Sequence, residues 1–145
     1  MKWNDMLILI SIFAVGIVLA QHLNVVSSES MEPLLHKGDI VIINYETDNI
    51  DVGDVVVYNA TWFDHKPVIH RVINKQAVNG SYIYTLKGDN NQKEDPEIVY
   101  PKAVIAKVVK INHQMLILPK LGYISFWFHE LMEYFFGQTI LYYPS

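Results

Sequence analysis

The sequence PVIHRVI occupies residues 67–73 and is typical of a β-strand, because it is rich in β-branched residues. Successive side chains of a strand point to opposite faces. Val68, His70 and Val72 therefore share one face, and the intervening residues share the other. This segment places a histidine between two valines, on a face that we expect to be apolar.

Similar runs of Val, Ile and Tyr recur on both sides of this segment, at residues 40–44, 55–58, 82–86 and 103–111. Gly-Asp, Asn-Gly and Pro separate them. Asn79-Gly80 predicts a reversal of the chain, within a loop that we expect to extend over residues 74–81. Many short strands without a sustained helical period predict a mainly β domain, a small antiparallel sheet or barrel, over residues 27–114.

The N-terminal part of the chain is apolar. Residues 6–20 read MLILISIFAVGIVLA without a charge, and apolar residues continue to Val26. Twenty-one helical residues span roughly 31 Å, close to the ~30 Å hydrocarbon core of a bilayer. The segment is therefore either a transmembrane anchor over residues 1–26 or a cleaved secretory signal. Lys2 precedes it and acidic residues follow, which predicts that the rest of the chain lies outside the cytoplasm.

The C-terminal residues 115–145 are rich in aromatic side chains, including Tyr142 and Tyr143. A helix over residues 125–136 would carry a broad aromatic face, with Glu130 and Glu133 on the opposite side. Two interpretations remain open for this amphipathic helix. It either lies at a membrane interface or packs on the core of the domain.

Length and composition exclude several classes of protein. The chain has 145 residues, which is enough for one modest domain but not for a multidomain enzyme. Its net charge is −4, without a basic block, so nucleic acid is not an expected partner. The absence of cysteine excludes a disulfide scaffold, a cysteine zinc site and a thiol nucleophile.

Three clusters hold side chains capable of chemistry. Residues 27–33 read SSESMEP, a serine cluster closed by a proline that stiffens the turn. A serine there is either a nucleophile or part of a solvated linker, and it needs a base to remove its proton. His70 is the candidate base that lies within a strand, although such a histidine is often structural.

The third cluster, residues 87–96, reads KGDNNQKEDP and follows a predicted strand. Asp89 and Asn90 are also turn formers, so they have a structural explanation. Asp95 precedes Pro96 in an extended conformation that suits a carboxylate orienting an imidazole. No HExxH-type spacing is present, so we expect neither a metal nor a cofactor.

Taken together, and in this order behind an apolar segment, the clusters resemble the type I signal peptidases. Residues 30–33 (SMEP) are similar to the family's nucleophile motif. Residues 69–72 (IHRV) are similar to the box in which the archaeal and endoplasmic-reticulum enzymes carry histidine where bacterial enzymes carry lysine. Residues 88–91 (GDNN) with Asp95 are similar to the acidic box, and the resemblance extends from about residue 5 to residue 111.

The resemblance implies a role for each matching residue. Ser30 would be the nucleophile, His70 the general base, and Asp95 the acid that orients His70. Asp89 would be a supporting acid that organises its loop or substitutes in part. Ser28 is the candidate hydroxyl of an oxyanion hole.

The resemblance further implies a membrane-bound serine endopeptidase that cleaves signal peptides from exported preproteins. Its partners would be those preproteins, membrane lipid and the protein export machinery. It would be a single-pass protein of the plasma membrane, or of the endoplasmic-reticulum membrane, with the catalytic domain on the outer or lumenal side. The alternatives are a processing peptidase dedicated to a few secreted precursors and an anchored β module without activity. Asn59 and Asn79 match the glycosylation pattern, which decides nothing.

Overall fold

The computed structural model describes residues 2–136, and the elements of this part of the chain are mainly strands. Short 3₁₀ helices cover Thr61–Phe63 and Pro101–Ala103. In chain order the helices and strands are α1 (Trp3–Ala20), β1 (Leu23–Val25), β2 (Ile40–Asn44), β3 (Val55–Ala60), β4 (Lys66–Val78), β5 (Ser81–Lys87), β6 (Val104–Val108), β7 (Lys110–Ile111), β8 (Gln114–Met115), β9 (Ile117–Leu118) and α2 (Gly122–Phe136). The predicted class, an antiparallel β domain with an apolar N-terminal helix and a C-terminal helix, is confirmed.

The main sheet has the strand order β1-β2-β6-β3-β4-β5, and its pairs are antiparallel. β9 also pairs with β2, while β7 and β8 form a separate ribbon. β3 lies between β6 and β4 and is buried on both faces. Val55 and Val57 belong to one apolar cluster, whereas Val56 and Tyr58 belong to a second one. The core is therefore divided between the two faces of the sheet.

The alternation predicted for residues 67–73 matches the structure. Val68 and Val72 pack with the second apolar cluster, and Ile69 packs against the first. His70 is 2% exposed, on the same face as the two valines. The strand thus buries an imidazole among apolar neighbours.

The loop predicted over residues 74–81 is wrong. β4 continues to Val78 and β5 starts at Ser81, so Asn79 and Gly80 alone form the turn. Their φ angles are 50° and 79°, and two positive φ angles are what a tight two-residue hairpin requires. The polar residues before the turn read as loop residues, but their backbone pairs with β5 as far as the turn itself.

The apolar helix is also shorter than the segment over residues 6–26 that the sequence suggested as an anchor. α1 ends at Ala20, and Leu23–Val25 form β1, which pairs with β2. The polar residues that interrupt this end of the segment favour a strand in the sheet over a lipid-embedded helix. α1 buries none of its residues, and it is long and apolar enough to cross a membrane.

α2 joins the domain through its first turn. The Gly122 amide donates to the carbonyl oxygen of Gly38 at 2.8 Å, and the Lys120 amide donates to Oδ1 of the buried Asp39 at 3.0 Å. The ring of Tyr123 covers Gly38 so closely that a Cβ atom there would overlap it. Beyond this turn, large side chains such as Trp127 are exposed.

Beyond its first turn, α2 exposes most of its large described side chains, which favours the first of the two interpretations above. Ile124, Trp127 and Phe128 are each more than half exposed. Tyr142 and Tyr143 lie outside the described residues, as does the side chain of Glu133.

Candidate active site

Ser30 lies in the segment that connects β1 to β2. The next residue, Met31, is fully buried in the first apolar cluster, and its carbonyl oxygen accepts hydrogen bonds from the amides of Leu34 and Leu35 at 3.0 Å. The Ser30 carbonyl oxygen accepts the Asn90 amide at 2.8 Å. These contacts fix the backbone at Ser30 while its side chain stays half-buried at the surface.

His70 places its imidazole between a hydroxyl and a carboxylate. Its Nε2 lies 3.1 Å from Oγ of Ser30, and its Nδ1 lies 2.7 Å from Oδ2 of Asp95. The side chains of His70 and Asp95 are 3% and 2% exposed. The Asp95 amide donates to the Leu86 carbonyl oxygen at 2.9 Å, which holds this segment beside β5. Residues 40 and 25 positions from His70 thus converge on its two ring nitrogens.

The proton positions follow from the chemistry of an ionised Asp95. A carboxylate only accepts hydrogen bonds, so His70 donates from Nδ1 and accepts at Nε2. The hydroxyl of Ser30 is then the donor to Nε2. This tautomer is the one that a general base needs in order to take a proton from a serine.

Gly88 allows the loop after β5 to approach Ser30 and His70 closely. A Cβ atom at this position would lie 2.6 Å from the Ser30 carbonyl oxygen and 2.9 Å from Nε2 of His70. Both distances are far shorter than van der Waals contact. The glycine is therefore required by the close approach of the loop after β5 to Ser30 and His70.

Asp89 binds Arg71 rather than His70. Its two carboxylate oxygens accept hydrogen bonds from Nε and Nη2 of Arg71 at 2.8 and 2.6 Å. Arg71 also donates from Nη1 to the Gly53 carbonyl oxygen at 3.0 Å. The hydrogen bonds to Asp89 raise the pKa of the Arg71 guanidinium. Asp89 lies beside the candidate active site and ties its loop to β4.

The hydroxyl of Ser28 lies next to that of Ser30, with 3.1 Å between the two Oγ atoms. Because the Ser30 proton points to His70, Ser28 is the donor of this hydrogen bond. The structure therefore brings four of the five candidate residues together, namely Ser28, Ser30, His70 and Asp95. The fifth, Asp89, is hydrogen-bonded to Arg71 instead.

Comparison with known proteins identifies the family of this chain. Residues 2–99 match a family described as signal peptidase, peptidase S26. The chain belongs to the S26 signal peptidase family. Among the similar proteins, the signal peptidase complex catalytic subunit SEC11 of Scheffersomyces stipitis is 30% identical over 129 residues, covering 86% of this chain and 77% of that protein.

Two further proteins are similar to this chain. SEC11 of Lachancea thermotolerans is 34% identical over 112 residues, covering 73% of this chain and 65% of that protein. An uncharacterized protein of Methanocaldococcus jannaschii is 28% identical over 184 residues, covering 84% of this chain and 91% of that protein. These relatives support the endoplasmic-reticulum and archaeal branch of type I signal peptidases.

In this S26 family member a cleft of about 390 Å³ opens beside Ser30 and His70. Its walls come from β1, the serine cluster, the 3₁₀ helix after β3 and the start of β4. β4 pairs with β3 along one edge and with β5 along the other, but its pairing with β5 begins only at Arg71. On the β5 side, residues 66–70 therefore have a backbone edge without a strand partner among the described residues. A cleft bounded by a strand edge suits an extended peptide.

Two polar residues near the site were not among the candidates from the sequence. The hydroxyl of Tyr58 donates to Oδ2 of Asp95 at 2.7 Å, and Nε1 of Trp62 donates to the Tyr58 oxygen at 3.1 Å. The only signal for Tyr58 is its place in the register, two residues beyond Val56, which lies opposite His70. That register is not visible in the sequence.

Among residues 2–136, no three His, Asp or Glu side chains are grouped so that they could hold a metal ion. Within the same residues, every buried side-chain polar atom has a hydrogen-bond partner. The histidine and acids of the site are accordingly engaged with one another and with their neighbours.

Proposed function

We propose that this chain is a membrane-bound serine endopeptidase that cleaves N-terminal signal peptides from exported preproteins. The observation that carries the proposal is the hydrogen-bonded series from Ser30 to His70 to Asp95, beside a peptide-sized cleft. Membership of the S26 family supports the activity, and the geometry supports these three residues as its agents.

The reaction proceeds in two halves. His70 takes the hydroxyl proton of Ser30 at Nε2 as Oγ attacks the scissile carbonyl, and Asp95 stabilises the imidazolium through Nδ1. The tetrahedral intermediate collapses to an acyl-enzyme when the imidazolium returns this proton to the leaving amine. Water then attacks the ester with His70 again as the base, which releases the acid and restores the serine.

Negative charge on the carbonyl oxygen needs hydrogen-bond donors. The backbone amide of Ser30 and the hydroxyl of Ser28 are the candidates, because Ser28 already donates to the nucleophile in the resting site. When the Ser28 hydroxyl rotates toward the oxyanion, its hydrogen bond to Ser30 Oγ would be replaced by a hydrogen bond to the oxyanion. Loss of a single donor of this kind lowers the rate on the order of 10²–10³-fold.

The position of the site relative to α1 fits a membrane-inserted substrate. Only residues 21 and 22 separate α1 from β1, and Ser30 follows β1 by five positions. We propose that α1 is a retained single-pass anchor, with the domain on the outer side of the plasma membrane or on the lumenal side of the endoplasmic-reticulum membrane. The exposed aromatic residues of α2 would contact lipid at the interface.

The substrate would bind as an added strand. Residues before the cleaved bond would pair with the open edge of β4 at residues 66–70, next to His70. Exported preproteins present such an extended segment at the end of their apolar region. The SEC11 relatives are named as subunits of a signal peptidase complex, and we propose that this chain likewise has protein partners, with the export machinery as a candidate.

The test is mass spectrometry of a model preprotein incubated in detergent with the wild type and with Ser30→Ala, His70→Ala and Asp95→Asn. We expect one cut after the signal segment with the wild type, and rates on the order of 10⁶-fold lower with Ser30→Ala and His70→Ala. Asp95→Asn should lose on the order of 10⁴-fold, because an amide holds the wrong tautomer of His70.

Folding of each variant is checked by circular dichroism, and a phosphonylating probe, which forms a phosphonate ester with a reactive serine and releases its leaving group, reports the nucleophile directly. Near-wild-type turnover in Ser30→Ala would refute the assignment. Failure of the wild type to react with the probe would instead identify an anchored module without activity. Accumulation of only a few uncleaved precursors after depletion of the enzyme in cells would identify a dedicated processing peptidase.

A further inference from the structure

A second series of hydrogen bonds ends at Asp95 and does not include His70. Trp62 donates to Tyr58 and Tyr58 donates to Asp95, over distances of 3.1 and 2.7 Å. The direction of both bonds is fixed by chemistry. An indole N–H has no acceptor atom, so Tyr58 accepts from Trp62, and its single proton goes to the acceptor-only carboxylate.

Tyr58 and His70 bind the same oxygen atom of Asp95. Oδ2 accepts the phenol proton and the Nδ1 proton, each over 2.7 Å. The terminal torsion of an aspartate side chain is broad and roughly two-fold, so one hydrogen bond leaves the carboxylate free to rotate. A second donor on the same oxygen removes that freedom and holds Oδ2 toward the imidazole.

The sheet fixes the position of Tyr58. The residue is fully buried on β3, and its Cα partner on β4 is Val68, two residues before His70. Its ring centroid lies 6.5 Å from that of His70. Burial and the hydrogen bond to Asp95 raise the pKa of Tyr58, so its hydroxyl stays protonated and remains a donor.

Trp62 is fixed by a second contact between the same two segments. Thr61 starts the 3₁₀ helix that carries Trp62, and both its amide and its hydroxyl donate to the carboxylate of Glu97. Glu97 follows Asp95 by two residues, so the chain after β3 is joined to the acidic segment at two points. The indole ring itself lines the cleft beside Phe63.

We propose that Tyr58 and Trp62 are positioning residues of this site: Tyr58 holds Asp95 against His70, and Trp62 joins that hydrogen-bond series to the wall of the cleft. This inference rests on the proposed catalytic use of Ser30, His70 and Asp95. It adds that the orientation of the catalytic carboxylate depends on a residue in the substrate-facing wall.

The first test compares Tyr58→Phe with Tyr84→Phe. Tyr84 is a buried tyrosine of the same apolar cluster, so its variant is a matched removal of one oxygen. Tyr58→Phe should lower kcat on a model preprotein about tenfold and leave KM within about twofold. Tyr84→Phe should leave both constants within about twofold of wild type.

A spectroscopic measurement separates positioning from general stability. The downfield proton resonance of His70 Nδ1–H reports its hydrogen bond to Asp95, and it should move in Tyr58→Phe but not in Tyr84→Phe. An unchanged resonance together with a kcat equal to that of Tyr84→Phe would overturn the proposal.

Trp62 supplies a second, independent test, which decides the matter if Tyr58→Phe does not fold. Trp62→Phe keeps an aromatic wall but removes the donor, and should lower kcat roughly threefold at constant KM. Trp62→Ala also removes the wall, and should raise KM in addition. Equal kcat in Trp62→Phe and wild type would contradict the inferred role of Trp62.

Ser30→Ala in the same assay distinguishes this inference from the proposed function. Activity retained in Ser30→Ala would refute the proposed function itself. An inactive Ser30→Ala with a fully active Tyr58→Phe would refute only the positioning role.

Discussion

The residues of the candidate site differ in how far the sequence alone predicts their roles. Residue type and local context make Ser30, His70 and Asp95 candidates, and the resemblance to type I signal peptidases implies their roles. The structure brings them within hydrogen-bond distance, while their catalytic roles remain a prediction. Tyr58 was not predicted, since its contact with Asp95 depends on strand register and on a separation of 37 residues.

Gly88 offers a prediction at the scale of one atom. Gly88→Ala places a methyl group against the Ser30 carbonyl oxygen and Nε2 of His70. Displacement of reacting groups by about 1 Å costs on the order of 10²-fold in rate, so we expect a kcat loss of that size. Steady-state cleavage of a model preprotein measures it.

The matched control is Gly80→Ala, at the other end of β5, where a Cβ atom meets nothing within 4 Å. Its φ of 79° strains an alanine, so this variant should lose some stability but keep its activity. Equal kcat losses in the two variants would show that the effect of Gly88→Ala comes from stability and not from displacement.

At the scale of elements, strand periodicity predicted the main strands but not their ends. The sequence 74–78 reads as polar and loop-like, yet its backbone completes a hairpin whose two-residue turn needs only Asn79 and Gly80. β1 was missed because its residues lie at the end of an apolar run that reads as a helix. Pairing with β2 is a tertiary interaction, and hydropathy alone does not distinguish a short strand from the end of a helix.

The attachment of α2 gives a prediction at this scale. Gly38→Ala drives a methyl group into the ring of Tyr123 at a φ of 89°, so the first turn of α2 must move. We expect a loss of about 1–3 kcal/mol in the free energy of unfolding beyond the backbone strain. Hydrogen exchange should increase over residues 120–128.

Gly53→Ala is the control, because its φ of 93° imposes the same strain in open space. The comparison therefore isolates the contact with Tyr123. Similar exchange at α2 in both variants would mean that Gly38 does not hold the helix.

For the whole molecule, acid stability depends on an ion pair away from the site. Burial raises the pKa of Asp54, but the Asp51 amide and the ammonium groups of Lys110 and Lys107 outweigh it, and the pKa lies below its ordinary 3.8. A carboxyl group whose pKa is lower in the folded than in the unfolded state stabilises the fold. This contribution of Asp54 is fully present above pH 3.8, and it is lost as the pH falls through the lower pKa of the folded state.

Asp54→Asn should therefore lower the melting temperature by about 3 °C near neutral pH and by progressively less below about pH 4. Thermal unfolding followed by circular dichroism in detergent measures the difference at each pH. A difference between wild type and variant that stays constant down to about pH 2 would contradict the role of the Asp54 charge.

The length of β4 also affects how often its two halves open. Its outer half, from Asn74 to Val78, is largely exposed, whereas Val72 and His70 are buried in the core. Local opening of the hairpin can therefore occur without disturbing His70, whose backbone amide is protected until most of the core unfolds. One strand therefore combines a tip that opens frequently with a buried histidine that stays in place during such local openings.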